Sequence, residues 1–339
     1  MPLAPQHPSR RSFLKRSSAF AAFTILPSGL LANSPNGRLQ VAQIGVGGRG
    51  KQNLNALLSL SQLDMVGLCD VDTQFLGEAA AAVPGATKFR DYRKLLEQLD
   101  GKIDAVLVST PDHMHAPIAT AAMKAGKHVY CEKPLAHNVV ENRELRLLAE
   151  STGLTTQLGI QNSAGFGYRM TSHYVRTGLI GKVQAVHVWS NKEWGRDEAT
   201  VPNHHDSIPP NLDWNLWLGV APQQDYRNDD YHPKNWRKLT DFGTGTLGDM
   251  GVHIFDTPYR ALELTAPRWV RTTCRAPNGF SHPSRNIVEY SFPATPYTAE
   301  ELKWTWYDGQ DAPPTAIAGV TLPEGREFPV QGCVMVGEK

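Results

Sequence analysis

Leu39-Gln-Val-Ala-Gln-Ile44, running directly into Gly45-Val-Gly47-Gly48-Arg49-Gly50, is the stretch on which the fold turns. The first part reads as a short buried strand. The second has the G-x-G-x-x-G spacing, and Leu54, Leu57 and Leu58 then recur at helical intervals. Glycines at these places let the backbone approach a pyrophosphate, which would rest at the positive end of the following helix. A second strand, Met65-Val-Gly-Leu-Cys69, ends in Asp70, twenty residues past Gly50, where a carboxylate would take the adenosine ribose hydroxyls. That charge would repel a 2′-phosphate, so NAD is favoured over NADP. Arg49 and Asp72 weigh the other way, since a nearby arginine can accommodate the phosphate.

The alternation continues downstream. Asp91 has the position of an N-cap for a helix carrying Leu95, Leu96 and Leu99. Ile103 to Val108 reads as a buried strand that ends in Ser109-Thr110-Pro111-Asp112-His113-Met114-His115. A helix from about Ala116 to Ala125 leads to the strand His128-Val-Tyr-Cys131, which opens into Glu132-Lys133-Pro134. A lysine at that point, held extended by the following proline, can be aimed into a cleft at the carboxyl edge of the sheet. Strand–helix repeats of this kind imply an α/β fold with a parallel, doubly wound sheet.

Thr155 to Gly159 reads as the last strand of this first unit. A helix around Tyr168 to Thr177 follows, and Val183 to Val188 opens a second sheet. The stretch from Trp189 to Trp236 is loop-like and rich in Trp, Asn, His and Asp. That composition suits sugar recognition and equally suits a long surface loop, with Asp213-Trp-Asn-Leu-Trp217 anchoring it by packing. Beyond it, Gly243-Thr-Gly-Thr-Leu-Gly-Asp249-Met-Gly-Val-His253 places a glycine-rich turn before a helix. Asp249 and His253 are four apart and share one face, so one could orient the other. A histidine there is a natural proton acceptor near neutral pH.

Composition excludes several classes. With 34 basic and 33 acidic residues in 339, nucleic acid is not an expected partner. The imbalance is also local, because residues 1–34 hold Arg10, Arg11, Lys15 and Arg16 and no acids, leaving a mildly acidic body. Cys69, Cys131, Cys274 and Cys333 show no metal-ligand spacing, and no disulfide framework is expected. His113 and His115 lack neighbouring ligands, so no metal site is expected either. Ser9-Arg10-Arg11-Ser12-Phe13-Leu14-Lys15 resembles a twin-arginine export signal, and the weakly apolar run from Ser17 to Leu31 is too short and polar to span a membrane. Residues 1–34 are therefore expected to be a signal read by the twin-arginine translocation machinery, with a periplasmic or otherwise exported destination.

The glycine loop, Thr110-Pro-Asp-His-x-His115 and Glu132-Lys-Pro134, in this order, resemble the Gfo/Idh/MocA oxidoreductases over roughly Leu39 to Lys339. The resemblance implies a Rossmann domain (37–160) followed by an α+β domain (161–339) whose mostly antiparallel open sheet mediates homo-oligomer formation. It implies NAD held by Gly45, Gly47, Gly48, Arg49, Gly50, Asp70 and Glu132, with Thr110, Pro111, His113 and His115 on the nicotinamide side. It implies Lys133 as the substrate-binding lysine and Asp249 and His253 as the catalytic pair. The expected activity is hydride transfer at a sugar or polyol hydroxyl carbon. Export suggests a nicotinamide that stays bound, which admits a glycosidase, lyase or epimerase working by transient oxidation as an alternative. The Glu-Lys-Pro argues against the glycoside-hydrolase subgroup. The chain is also shorter than the family pattern at its C-terminus, so an incomplete second sheet and a silent sugar-binding fragment are further expectations.

Overall fold

The computed structural model describes residues 37–339, and the expected export signal lies outside them. The first domain alternates β1 (Leu39–Ile44), α1 (Gly48–Leu58), β2 (Leu63–Cys69), α2 (Thr73–Ala82), β3 (Thr87–Phe89) and α3 (Tyr92–Gln98). It continues through β4 (Ala105–Val108), α4 (His115–Lys124), β5 (His128–Glu132), α5 (Val139–Thr152) and β6 (Thr156–Gly159). The strands form one parallel sheet in the order β3-β2-β1-β4-β5-β6. The order in which strands are added reverses between β1 and β4, and that switch point is where such sheets bind ligands.

The local chemistry explains these elements. Val106, Leu107 and Val108 of β4 are all buried, as expected of a strand covered by helices on both faces. One layer packs Ile44, Leu95, Val106, Ile118 and Val129; the other packs Val41, Leu54 and Leu68. Helix starts are marked by side chains that take up otherwise unpaired amides. Asp91 accepts from Arg93 N–H, Asp72 caps α2, and Asn138 with Glu141 forms a capping box on α5.

The second domain contains α6 (Phe166–Arg176), β7 (Val183–Ser190), α7 (Trp214–Leu218), α8 (Gly245–Ile254) and α9 (Asp256–Ala261). Four strands complete it: β8 (Trp269–Thr273), β9 (Ile287–Pro293), β10 (Thr298–Asp308) and β11 (Gln331–Gly337). Their order is β11-β7-β10-β9-β8, with β7 and β10 parallel and the other neighbours antiparallel. Alternation on β10 turns Leu302, Trp304 and Trp306 inward, where Phe255 packs edge-on against both tryptophans. The stretch before Lys339 forms β11, paired antiparallel along β7. At the opposite edge, every residue of β8 is exposed.

The long segment between β7 and α8 is organised rather than loose. Trp214, Trp217, Tyr226, Tyr231, Trp236 and Phe242 form one buried aromatic cluster, with Trp214 and Trp217 stacked at 4.9 Å. This matches the packing role expected of Asp213–Trp217, and Asp213 itself caps α7. The segment also reaches back to the first domain. Thr73 N–H donates to Asn211 O at 2.9 Å, Asp213 N–H to Val71 O at 3.1 Å, and His232 Nε2 lies 2.9 Å from Asp72 Oδ2. A strap from the second domain thus lies across the carboxyl edge of the first sheet.

Candidate active site

Between the domains runs a cleft of about 800 Å³. At one end, the glycine loop is built as its sequence requires. Gly45 has φ of 84°, and a Cβ on Gly50 would strike the Gly45 carbonyl. Beside Gly48 a Cβ would meet no protein atom, so the loop leaves an open cradle at the start of α1. Thr110 and Pro111 line the same cleft, and Thr110 Oγ1 is buried without a partner among the described residues. An open backbone cradle at the positive end of a helix, with an orphaned hydroxyl nearby, fits a dinucleotide.

Asp70 lies where the spacing placed it, but its carboxylate is already engaged. One oxygen accepts from Val46 N–H at 2.8 Å and Gly47 N–H at 3.3 Å, and the other from Asp72 N–H. Burial raises its pKa above the ordinary carboxylate value, against the pull of those amides. The residue therefore braces the loop, and ribose hydroxyls would use its remaining lone pairs. Gln43, wholly buried under the loop, donates to Gly45 O and Gly50 O at 3.0 and 2.7 Å. Arg49 turns to Glu132 at 3.2 Å, which also accepts from Asn53 at 2.8 Å, so Glu132 ties β5 to α1.

Of the two histidines after β4, His115 keeps a place on the cleft wall at the start of α4, and His113 does not. His113 is packed edge-on against Phe242 at 5.0 Å, with Nε2 3.2 Å from Trp217 O, and does not line the cleft. Burial pushes its pKa down to about 4, so it sits in the interdomain core as a neutral ring. His115 borders the cleft, yet Nδ1 is 2.6 Å from Pro134 O and Nε2 2.9 Å from Thr110 O. Two facing carbonyls call for a doubly protonated ring. Burial alone would lower its pKa, but Cys131 and those two carbonyls outweigh it and raise it. His115 pins the turn that carries Lys133, across the cis Lys133-Pro134 bond.

At the other end of the cleft, Lys133 Nζ donates to Asp249 Oδ1 at 2.5 Å and to Asp249 O at 2.9 Å. Arg237 Nε lies 3.4 Å from the same Oδ1. The expected Asp249–His253 contact does not form. Both residues are on α8, but two cations brought from outside the helix take the carboxylate. Burial works to raise the Asp249 pKa; Lys133 and Arg237 overcome it and hold the group ionised. His253 borders the cleft with Nδ1 buried and unpartnered among the described residues. Burial, then the charge of Lys133, lowers its pKa, so it is neutral at pH 7. Asp112, 2% exposed, accepts from Thr244 Oγ1 at 2.9 Å, and burial with the nearby Asp249 charge pushes it up to about 7.

Arg237, Asp112, Gln43 and the strap residue His232 were not singled out from sequence. Arg237 falls one residue past the Trp189–Trp236 stretch read as loop-like, and its contacts with Trp236 at 4.2 Å and with Asp249 reveal it. The one signal available was Gln43, set among the apolar Val41, Ala42 and Ile44 of β1.

A doubly wound sheet whose switch-point cleft is completed by a second, mixed sheet domain defines a two-domain, dinucleotide-binding oxidoreductase architecture. Residues 39–160 match the Gfo/Idh/MocA oxidoreductase family, NAD-binding Rossmann fold, and 172–275 match its C-terminal α/β domain. The chain belongs to this family. It is 25% identical to a levoglucosan dehydrogenase of Pseudarthrobacter phenanthrenivorans over 61% of this chain and 45% of that protein. It is 28% identical to inositol 2-dehydrogenase of Salmonella paratyphi B over 65% and 64%, respectively. A glycosyl hydrolase family 109 protein of Stenotrophomonas maltophilia is 33% identical over 51% and 40%. The chain spans about half the length of the curated relatives it matches. Among solved structures, the WlbA dehydrogenase of Bordetella pertussis, in complex with NADH and UDP-GlcNAcA, shares the fold. Its TM-score is 0.62 at 17% identity, covering 89% of this chain and 78% of that one.

Proposed function

We propose that this protein oxidises or reduces a hydroxyl-bearing carbon of a sugar or polyol, with NAD as its redox partner. The observation that carries the reading is Lys133 held against Asp249 at the cleft wall, beside a neutral His253 and in line with the glycine loop. Bound NAD would accept or donate the hydride. The protein's own part is positioning and proton handling. Lys133 binds the reacting oxygen and stabilises the negative charge that develops on it. His253 takes the hydroxyl proton at Nε2, the ring nitrogen not shut in by burial. Asp249, shared with Arg237, holds the Lys133 ammonium aimed into the cleft. The dehydrogenases of levoglucosan and inositol among the relatives support a sugar or polyol as substrate.

The strap supports the reading of a cofactor that stays bound. Its bonds to Val71, Asp72 and Thr73 close the cleft at the adenosine end, so exchange would require the strap to lift. Retention in turn accords with the twin-arginine reading of residues 9–15, since that route carries folded proteins, and with a periplasmic site of action. Assembly into a homo-oligomer through the second sheet completes the reading and is checked by size-exclusion with light scattering. The decisive test is to purify the protein and measure bound nicotinamide by absorbance and fluorescence, then screen sugars for a redox change. Protein that is fully folded but free of nicotinamide, and unable to take it up, sinks the reading and leaves a silent sugar-binding protein.

The family 109 relatives favour a second reading, in which transient oxidation enables glycoside cleavage or epimerisation. They weigh against excluding that subgroup on Glu132-Lys133-Pro134. Cleavage of an aryl glycoside with no net NADH would select it.

A further inference from the structure

The substrate end of the cleft holds donors that nothing in the protein satisfies. Lys192 follows β7 and lines the cleft, and its ammonium makes no hydrogen bond or ion pair among the described residues. Arg237 uses Nε on Asp249 and Nη1 on Lys234 O, while Nη2 has no acceptor among them. Trp194 Nε1 is buried without a partner, and its ring lies 5.5 Å from the Arg237 guanidinium carbon. These groups are held in one place. Thr246, at the start of α8, accepts from Trp194 N–H at 2.9 Å and donates to Lys192 O at 3.0 Å.

The acids nearby do not cancel this charge. Asp249 is one carboxylate facing two cations, Lys133 and Arg237. Glu132 is committed to Arg49 and Asn53. Asp112 is held by Thr244, and its pKa near 7 keeps part of its population neutral. The diphosphate of a dinucleotide belongs at the far end, on the cradle beside Gly48. An uncommitted guanidinium edge, ammonium and indole N–H call for a ligand that brings acceptors and negative charge.

We propose that the substrate is an acidic sugar, a uronic or aldonic acid, whose carboxylate is taken by Arg237 and Lys192 with Trp194 beside it. Arg237 stacked on Trp236 at 4.2 Å presents a fixed planar edge, which suits a carboxylate better than a mobile ammonium would. The inference rests on the sugar-oxidoreductase reading for the existence of a sugar site, and refines what that site selects.

The test is calorimetric titration of the full-length, NAD-loaded protein with matched pairs: glucuronate against glucose, galacturonate against galactose, and gluconate against glucitol. Glucose 6-phosphate is the control for phosphate. At least one acid should bind about tenfold more tightly than its neutral partner, the scale of a charge-assisted hydrogen bond. Lys192→Gln should shrink that acid-over-neutral ratio by about tenfold, and Trp194→Phe, which keeps a ring but removes the donor, should shrink it less. The inference is overturned if no acid exceeds its neutral partner, if Lys192→Gln leaves the ratio unchanged, or if the phosphate binds more tightly than every carboxylate. Redox change is read separately from nicotinamide absorbance. Acid binding without that change would count against the oxidoreductase reading and leave the acidic ligand standing.

Discussion

Lys133 and Asp249, 116 residues apart, meet at 2.5 Å across the interdomain cleft, and Lys133 also donates to the Asp249 main-chain carbonyl. The turn after β5 is thereby fastened to helix α8. Removing the lysine removes both the oxygen-binding charge and this tie. Lys133→Ala should lower kcat/KM by about 10²–10³-fold on any substrate identified, the scale set by losing one preorganised donor. Steady-state assays with a circular dichroism check on folding decide it; retained turnover would refute the assignment.

Asp249→Asn should be costly in a different way. It leaves Lys133 and Arg237 facing each other in a largely buried setting with no anion between them. Breaking such a pair by deleting one partner destabilises by about 3 kcal/mol or more. Urea unfolding should show this loss, and Lys133→Met combined with Asp249→Asn should recover part of it.

His253 sets a pH limb. Its pKa is depressed by burial and by Lys133, so the proton-accepting form persists to lower pH than for a free histidine. Turnover should therefore hold through neutral pH and fall only as pH drops below the ordinary histidine value of about 6.5. In His253→Ala the residual rate should be low and that limb absent. A pH–rate profile of both forms checks it.

Asp112 acts in the opposite sense on stability. Its folded pKa near 7 lies above the value of an unfolded aspartate, so the folded state holds a proton that the unfolded state releases. Stability contributed by this group should be present below about pH 4 and lost as pH rises toward 7. Asp112→Asn still accepts from Thr244 and no longer titrates. Its melting temperature should match the parent at acid pH and exceed it by about 3 °C or more at pH 8, as a differential scanning series would show.

Trp217 is 3% exposed at the centre of the strap cluster, and on the proposed reading it couples packing to ligand retention. Trp217→Ala should destabilise by about 3–5 kcal/mol. His232→Ala, which removes the bond to Asp72 and the ring contact with Phe75, should leave most of that stability and speed nucleotide release measured by fluorescence. If release is unchanged in both, the strap does not retain the dinucleotide.

The parts of this fold that could be read from sequence are those fixed by near neighbours. Leu39–Ile44 and Gly45–Gly50 declare themselves because strand, turn and helix follow one another within a few residues. The Asp91 cap is legible for the same reason. Asp249 is the counter-example. Helical spacing offered His253 as its partner, and the partner proved to be a lysine from the other domain together with Arg237. His113 likewise sat inside a motif that resembles a cofactor wall, but Trp217 and Phe242, both far along the chain, enclose it. The strap reads in the sequence as an anchored loop, and the main-chain bonds that tie it to Val71 and Thr73 are not announced by side-chain identity.

That strap spans the length of the cleft. His232 lies beside Asp72 at one end, while Trp236 and Arg237 lie toward Asp249 at the other. On the proposed reading, a single continuous segment serves two ligands of unrelated chemistry. Substitutions that retune the sugar should then also alter how long the nucleotide stays, so the two properties would drift together as such proteins diversify.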